Sequence, residues 1–314
     1  MAGALRIALC TDTHTWQAQH PVVGSGGSLL HVDEAERLHA LLLDELVAEG
    51  VDMAIHLGDM TNGGGYFDMP PSAFAPQLER LTQMWQGLPF PVHALPGNHD
   101  CPPRATSADA AAMALRNGHP SDAWQIFEGL WGLPQGIGRT VDLGDSRLIL
   151  VNTQGHSAAQ VAAALPDDPV YGWVSDAEVA RVEAALAEAG TRPVLVALHQ
   201  LLQRWQAPRP WQEYYRVQNA SRLLELFERS GNVRAVFQGH AHFYEVQPMQ
   251  VAGRRCPFVI CPAVIEAPLA WLLLTVDAQG LQVEFRRLPA GLPVAPAQEW
   301  RAGRTAWRSW RMQW

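Results

Sequence analysis

At 314 residues, with 48% hydrophobic and 17% charged residues, the chain can bury a sizeable core and is compositionally neither disordered nor fibrous. Its 23 Lys plus Arg against 31 Asp plus Glu give a formal net charge of -8, so the overall field gives no reason to expect a nucleic-acid partner. A small phosphate ester stays compatible wherever bound cations neutralise it.

MAGALRIALC, interrupted by Arg6, lacks the basic start, longer apolar run and cleavage region of a secretory signal, and no uninterrupted apolar run is long enough for a bilayer. The expectation is a cytoplasmic protein with no membrane partner; a homo-oligomer stays open. Cys10, Cys101, Cys256 and Cys261 show no close CxxC pair and read as reduced structural thiols.

In chain order, LRIALC from Leu5 to Cys10 reads as a buried strand followed by a polar turn, and VDEAERLHALLLDELVAEG as a helix with a broad apolar face. DMAIHL from Asp52 is the next strand, ending in Gly58 and Asp59. A helix around Phe74 to Trp85 precedes PVHAL from Pro91, which ends in GNHD. Residues 106–118 and SDAWQIFEGLWG read as helical, RLILVNT from Arg147 as a strand. Ser175 with Glu178 three residues later marks a helix start. PVLVALH is a strand ending in His199, SRLLELFERSG a helix, and VRAVFQGHAH a strand ending in His240 and His242. PFVIC, AWLLLTV and LQVEFRRL have strand composition and would complete or cover the sheet. Strand, polar turn and helix recur in the order of an α/β fold.

The expected organisation is one catalytic domain over residues 1–290, with a helical or loop insertion around 101–146, and a Trp/Arg-rich C-terminal tail over 291–314. That tail either packs across the domain through ring burial and cation–π contacts or forms an exposed interaction segment.

Five separated segments carry candidate ligands at apparent strand ends: Asp12 and His14 in DTH, Asp59 in GD, Asn98 and His99 in GNHD, His199 in ALHQ, and His240 with His242 in GHAH. Viewed singly, each has a structural alternative: a hydrogen-bonded turn, a cap, or a satisfied polar residue at a strand end. Their order in one α/β chain favours a shared site. Carboxylate, amide and imidazole donors suit divalent metals, and two close cations need about this many ligands if one carboxylate bridges them. Glycines before Asp59, Asn98 and His240 permit close backbone turns there.

The ordered blocks DTH, GD, GNHD, ALH and GHAH, across residues 12 to 242, resemble those of the calcineurin-like metallophosphoesterases, including the class III cyclic-nucleotide phosphodiesterase branch. The resemblance implies a four-layer α/β/β/α sandwich with a central mixed β-sandwich and two divalent metal ions, Mn preferred and Fe or Zn as alternatives. It implies that Asp12, His14 and His242 hold one ion, that Asn98, His199 and His240 hold the other, and that Asp59 bridges them. His99 would then contact the scissile phosphate or donate a proton to its leaving group, with Asp100 orienting the imidazole.

The expected activity is hydrolysis of a small, nucleotide-like phosphoester by metal-activated water. A phosphodiester is favoured; phosphomonoester hydrolysis, nucleotide pyrophosphate cleavage and a silent metal-binding module are the alternatives. Asn62 and Tyr66, after Asp59, and His156, after GNHD, are the substrate-binding candidates.

Overall fold

A computed structural model describes residues 3–23, 28–63, 69–100, 123–156, 171–206 and 213–314. The first strand, β1 (Leu5–Cys10), sets the architecture. Ile7 and Leu9 point into one core, whereas Ala8 and Cys10 point into another. A strand apolar on both faces must be covered on both.

Short strands β2 (Val22–Val23) and β3 (Leu29–Leu30) form a separate pair. β1 lies parallel to β4 (Met53–His56), which lies parallel to β5 (Val92–Ala94). On its other side β1 runs antiparallel to β12 (Ala270–Asp277), followed by β13 (Gly280–Arg287) and β14 (Ser309–Gln313). This gives a mixed six-stranded sheet of order β14-β13-β12-β1-β4-β5. The second mixed sheet is built from β6 (Arg139–Asp142), β7 (Arg147–Val151), β8 (Val194–Leu198), β9 (Val233–Gln238), β10 (Glu245–Val251) and β11 (Arg254–Ile260), in the order β10-β11-β9-β8-β7-β6. Its four inner strands are parallel.

Ile7, Leu9, Ile55 and Leu272 of one sheet share a core with Leu150, Leu195, Phe237 and Val259 of the other. Helices α1 (Ala35–Glu49), α2 (Phe74–Gln86) and α3 (Ala123–Trp131) cover the first sheet through Leu38, Leu42, Leu81, Trp85 and Phe127. α4 (Asp176–Ala189) and α5 (Ala220–Ser230) cover the second through Val182, Leu186, Leu223 and Phe227. The layers are helices, sheet, sheet, helices. No helix among the described residues is long and apolar enough to cross a membrane.

Two local features depart from the sequence reading, and a third takes one of the two alternatives left open there. Ser175 caps α4 by accepting the Glu178 N–H at 3.1 Å, but the Glu178 carboxylate accepts from Asn152 N at 3.0 Å and Gly138 N at 3.1 Å instead of closing a capping box. β10 was not apparent because of Pro248; it is an edge strand, where a missing N–H is tolerated. The Trp/Arg-rich segment ends in β14, paired antiparallel to β13, with Trp307, Trp310 and Trp314 packed against the inter-sheet core. Residues 106–118 and Cys101 lie outside the described residues; Cys10, Cys256 and Cys261 are buried free thiols.

Candidate metal centre

The parallel strands β1, β4, β5, β8 and β9 deliver their carboxyl ends to one edge of the sandwich, where the loops continue to pair. Asp12 N donates to Gly58 O at 3.0 Å, and His14 N to Asp59 O at 3.0 Å. Gly239 N donates to His199 O at 2.9 Å. These bonds force sharp local geometry. Asp12, His14, Asp59, His240 and His242 all have positive φ, between 41° and 66°. Non-glycine residues held there cost roughly 1–3 kcal/mol each and persist only where surrounding structure imposes them. The expected glycines relieve what remains: a Cβ on Gly97 would run into the Asp59 carboxylate, and one on Gly239 into Thr11 Oγ1.

Each carboxylate has one oxygen engaged and the other aimed inward. Asp12 Oδ2 accepts from Thr11 Oγ1 at 2.7 Å and His240 N at 3.0 Å, while Oδ1 lies 3.2 Å from His242 Nε2 and 3.8 Å from His14 Nε2. Asp59 Oδ1 accepts from His99 N at 2.8 Å; Oδ2 lies 3.1 Å from His199 Nε2 and 3.7 Å from His14 Nε2. One oxygen of Asp59 therefore faces both groups of histidines. His199 Nε2 also lies 3.3 Å from Asn98 Oδ1.

The imidazoles are oriented from behind. His199 Nδ1–H donates to the Leu57 carbonyl at 3.1 Å, and His242 Nδ1–H to Glu266 Oε2 at 2.7 Å, which leaves both Nε2 lone pairs for the cleft. His14 and His242 Nε2 are 3.2 Å apart, and His240 Nε2 is buried with no hydrogen-bond partner among the described residues. Ligand atoms about 2.1 Å from a common cation are separated by about 3.0–3.4 Å at near-right or tetrahedral angles. The donor set thus fits two cations: Asp12, His14 and His242 converge, as do Asp59, His199 and His240, with His14, Asp59 and His99 forming an overlapping group.

Burial works against charge on all these groups. For His242, burial pulls the pKa down, but Asp12 and Glu266 outweigh it and hold the imidazole well above its ordinary range. Burial likewise pushes the Asp59 carboxyl up, and His199 and His99 reverse this to well below. His240 has weaker compensation: burial, with His199 adding to it, takes it down to about 3. A neutral imidazole is the form that ligates.

His99 N sits on Asp59, its ring packs edge-on to His14 at 4.8 Å, and its Nδ1–H donates to the Asn62 carbonyl at 2.6 Å. The sequence reading had Asp100 orienting this ring. Its carboxylate instead braces the ligand loops, accepting Met60 N and Thr61 N at 2.9 Å and Gly97 N at 3.2 Å. Burial and the nearby Asp59 charge raise Asp100 to about 6.

The Asn62 side-chain amide is buried with neither end hydrogen-bonded among the described residues. Tyr66 lies outside them. His156 packs edge-on against Tyr171 at 5.1 Å, falls to about pKa 4 through burial, and is not in the ligand groups around Asp59. Residues missed in the sequence include His56, whose ring accepts Gly58 N at 3.2 Å and meets Thr13 Oγ1 at 3.1 Å, and Glu266 with its ion-pair partner Arg301 at 2.9 Å. None belongs to a local motif; only the GD block two residues on marks His56.

A family model described as calcineurin-like phosphoesterase matches residues 5–244. A glycerophosphodiester phosphodiesterase of Enterobacter lignolyticus is 27% identical over 246 residues, covering 75% of this chain and 70% of the relative. A 3',5'-cyclic-nucleotide phosphodiesterase of Nostoc sp. is 24% identical over 240 residues, covering 76% and 71%. Among solved structures, a dimetal phosphatase from Danio rerio matches with a TM-score of 0.67 at 14% identity, over 90% of this chain and 96% of that one, a likeness of fold.

Proposed function

The chain belongs to the calcineurin-like phosphoesterase family, and from that premise we propose that it hydrolyses small phosphodiesters at two divalent cations. Asp12, His14 and His242 would hold one cation and Asn98, His199 and His240 the other, with Asp59 shared. The observation that carries this reading is the Asp59 carboxylate, whose Oδ2 faces His14 at 3.7 Å and His199 at 3.1 Å. Mn²⁺ is the first candidate, with Fe and Zn²⁺ as alternatives, since mixed oxygen and nitrogen donors do not select one metal. When bound, such ions polarise phosphoryl oxygens and lower the pKa of a water molecule.

The protein's own part is positioning and proton transfer. With Nδ1–H engaged by the Asn62 carbonyl, His99 presents Nε2 as the ring atom that carries a proton. As the P–O bond to the leaving group breaks, that proton passes to the leaving oxygen, giving a neutral alcohol, and the imidazole recovers a proton from solvent. The Asn62 amide, without a hydrogen-bond partner among the described residues, would supply a donor and an acceptor for the phosphate or its substituent.

A diester is favoured over a monoester because two relatives, matched over most of this chain, are named phosphodiesterases. The nucleotide-like substrate class rests on the Nostoc relative.

The test is turnover of metal-reconstituted protein on an aryl phosphodiester, the corresponding monoester, a glycerophosphodiester, cyclic nucleotides and nucleoside diphosphate derivatives. The expected result is metal-dependent turnover with the diester ahead of its monoester. A monoester preference would overturn the diester reading, and no turnover with both cations bound would overturn the hydrolase reading.

A further inference from the structure

We propose that Arg301, from the Trp/Arg-rich C-terminal segment, is a positioning residue for His242, acting through Glu266. This rests on the reading of the cluster as a metal centre. Glu266 and Arg301 are 3% and 7% exposed, and both lie outside residues 5–244, the stretch the family model matches.

The contacts form a closed relay. His242 Nδ1–H donates to Glu266 Oε2 at 2.7 Å, and Glu266 Oε1 pairs with Arg301 Nη2 at 2.9 Å. Arg301 Nη1 donates to the His242 carbonyl at 3.0 Å, Nη2 to Ser28 Oγ at 2.9 Å and Nε to Gln298 Oε1 at 3.0 Å. The Arg301 carbonyl accepts Tyr244 N at 2.7 Å. One residue thus grips the main chain on both sides of Phe243 and the carboxylate behind the His242 ring.

A buried ion pair repays its desolvation only when its remaining donors and acceptors are engaged; here the guanidinium fork is spread over four oxygens. The geometric consequence falls on His242. Its backbone is held at φ 59°, and its carbonyl direction is fixed by Nη1. Its ring tautomer is fixed by a carboxylate that Arg301 keeps in place. A carboxylate behind a ligating imidazole sets the tautomer and raises its basicity, and losing such a partner typically costs about 10- to 100-fold in metal affinity. A segment that merely stapled the fold would lower stability without singling out one ligand.

The experiment compares Arg301→Met, Arg301→Lys, Glu266→Gln and their double variants with an exposed control, Arg311→Met. Metal-free protein is read by thermal unfolding and by nitrogen NMR of the His242 ring at a pH high enough for its imidazole to be neutral. Cation binding is read by calorimetry with Mn²⁺ and Zn²⁺. The expected result for Arg301→Met is one of two binding events weakened about 10- to 100-fold, the other close to wild type, and loss of the single Nδ1–H tautomer. Arg301→Lys, which keeps the charge but not the fork, should fall between, and Arg301→Met with Glu266→Gln should be no worse than the worse single variant.

Unchanged affinities with an unchanged tautomer would overturn the proposal, as would both events weakening in proportion to lost stability. If Arg301→Met does not fold, wild-type behaviour of Arg301→Lys in both readouts would overturn it. If the wild-type protein bound no cation, the metal-centre reading would fail, and the metal-free tautomer would still decide the role of Arg301.

Discussion

On the His242 side of the cluster, the imidazole is held by a side-chain relay, Glu266 and then Arg301, that reaches into the C-terminal segment. On the His199 side, the corresponding imidazole donates to the main-chain carbonyl of Leu57, and its neighbours are placed by Gly97 and by the pairing of Gly239 with His199. A carbonyl partner follows directly from strand register. A carboxylate partner gives a more basic ligand, but one substitution can remove it without disturbing the sheet. The two halves should therefore differ in how they fail, although Asp59 is common to both.

Removing that common element should erase the contrast and have the largest effect. Asp59→Asn takes away the charge facing His14 and His199 together, so both cations should be weakened by at least about 100-fold, beyond the range for an outer partner, with turnover near background. Elemental analysis of protein loaded in one buffer checks this. Retention of either cation at wild-type occupancy would show that the halves are independent.

His99→Asn should leave both halves loaded and still slow the reaction by about 10²- to 10⁴-fold. His99 touches the cluster through its backbone N–H to Asp59 and its ring edge on His14. The loss should grow along a phosphodiester series as the leaving alcohol becomes more basic. A constant loss across the series, with metal content confirmed, would make His99 a positioning group instead of a proton donor.

The histidines divide by how far a carboxylate offsets burial. His199 and His242 are raised despite burial, His14 is held well below its ordinary value although Asp59 and Asp12 face it, and His39, stacked on Trp85 beneath the first sheet, is held by burial at about 4 against 6.5. Between those two values the unfolded chain binds more protons than the folded one. The stability from neutral His39 is complete above pH 6.5 and is lost as the pH falls toward 4, by about 3 kcal/mol. His39→Leu should lose about that much less than wild type between pH 7 and pH 4 in urea unfolding. Parallel pH profiles would place His39 in the charged, compensated class.

The legibility of the molecule follows the same division between local and distant causes. Asp59, Asn98, His199 and His240 were visible because each ligand directly follows a short apolar run, often across a glycine, and a strand end is a local event in sequence. The two-sheet layering was less visible. Ile7 and Ala8 look alike in a continuous apolar run although they face different cores, so strand composition could not assign partners. Glu266 and Arg301 were invisible, being 24 and 59 positions from the ligand they serve, with no pattern short of tertiary packing to join them. Adjacency to His99 suggests an orienting role for Asp100, but its buried carboxylate binds Met60, Thr61 and Gly97 instead.

The smallest expected effect probes the seam between the Asp12 loop and the Asp59 loop. Thr13, between two ligands, donates its hydroxyl proton to the Met60 carbonyl at 3.1 Å. The 3.1 Å contact with His56 must then run from His56 Nε2–H to Thr13 Oγ1, which leaves His56 Nδ1 to accept the Gly58 N–H at 3.2 Å. His56 is held neutral, at about 3, by burial and the neighbouring His39, so this tautomer persists across the working pH range. Thr13→Val keeps the shape and removes both hydrogen bonds, leaving a buried ring N–H and a buried carbonyl without that partner. The cost should be about 1–2 kcal/mol in urea unfolding, and Thr13→Ser, which restores the hydroxyl, should recover most of it. If the seam serves mainly to place Asp12 and His14, Thr13→Val should also weaken one cation-binding event more than the other, on the same side as Arg301→Met. Equal weakening of both events would assign the seam to Asp59 and to the bridge, while a valine variant as stable as wild type would remove Thr13 and His56 from the supporting structure altogether.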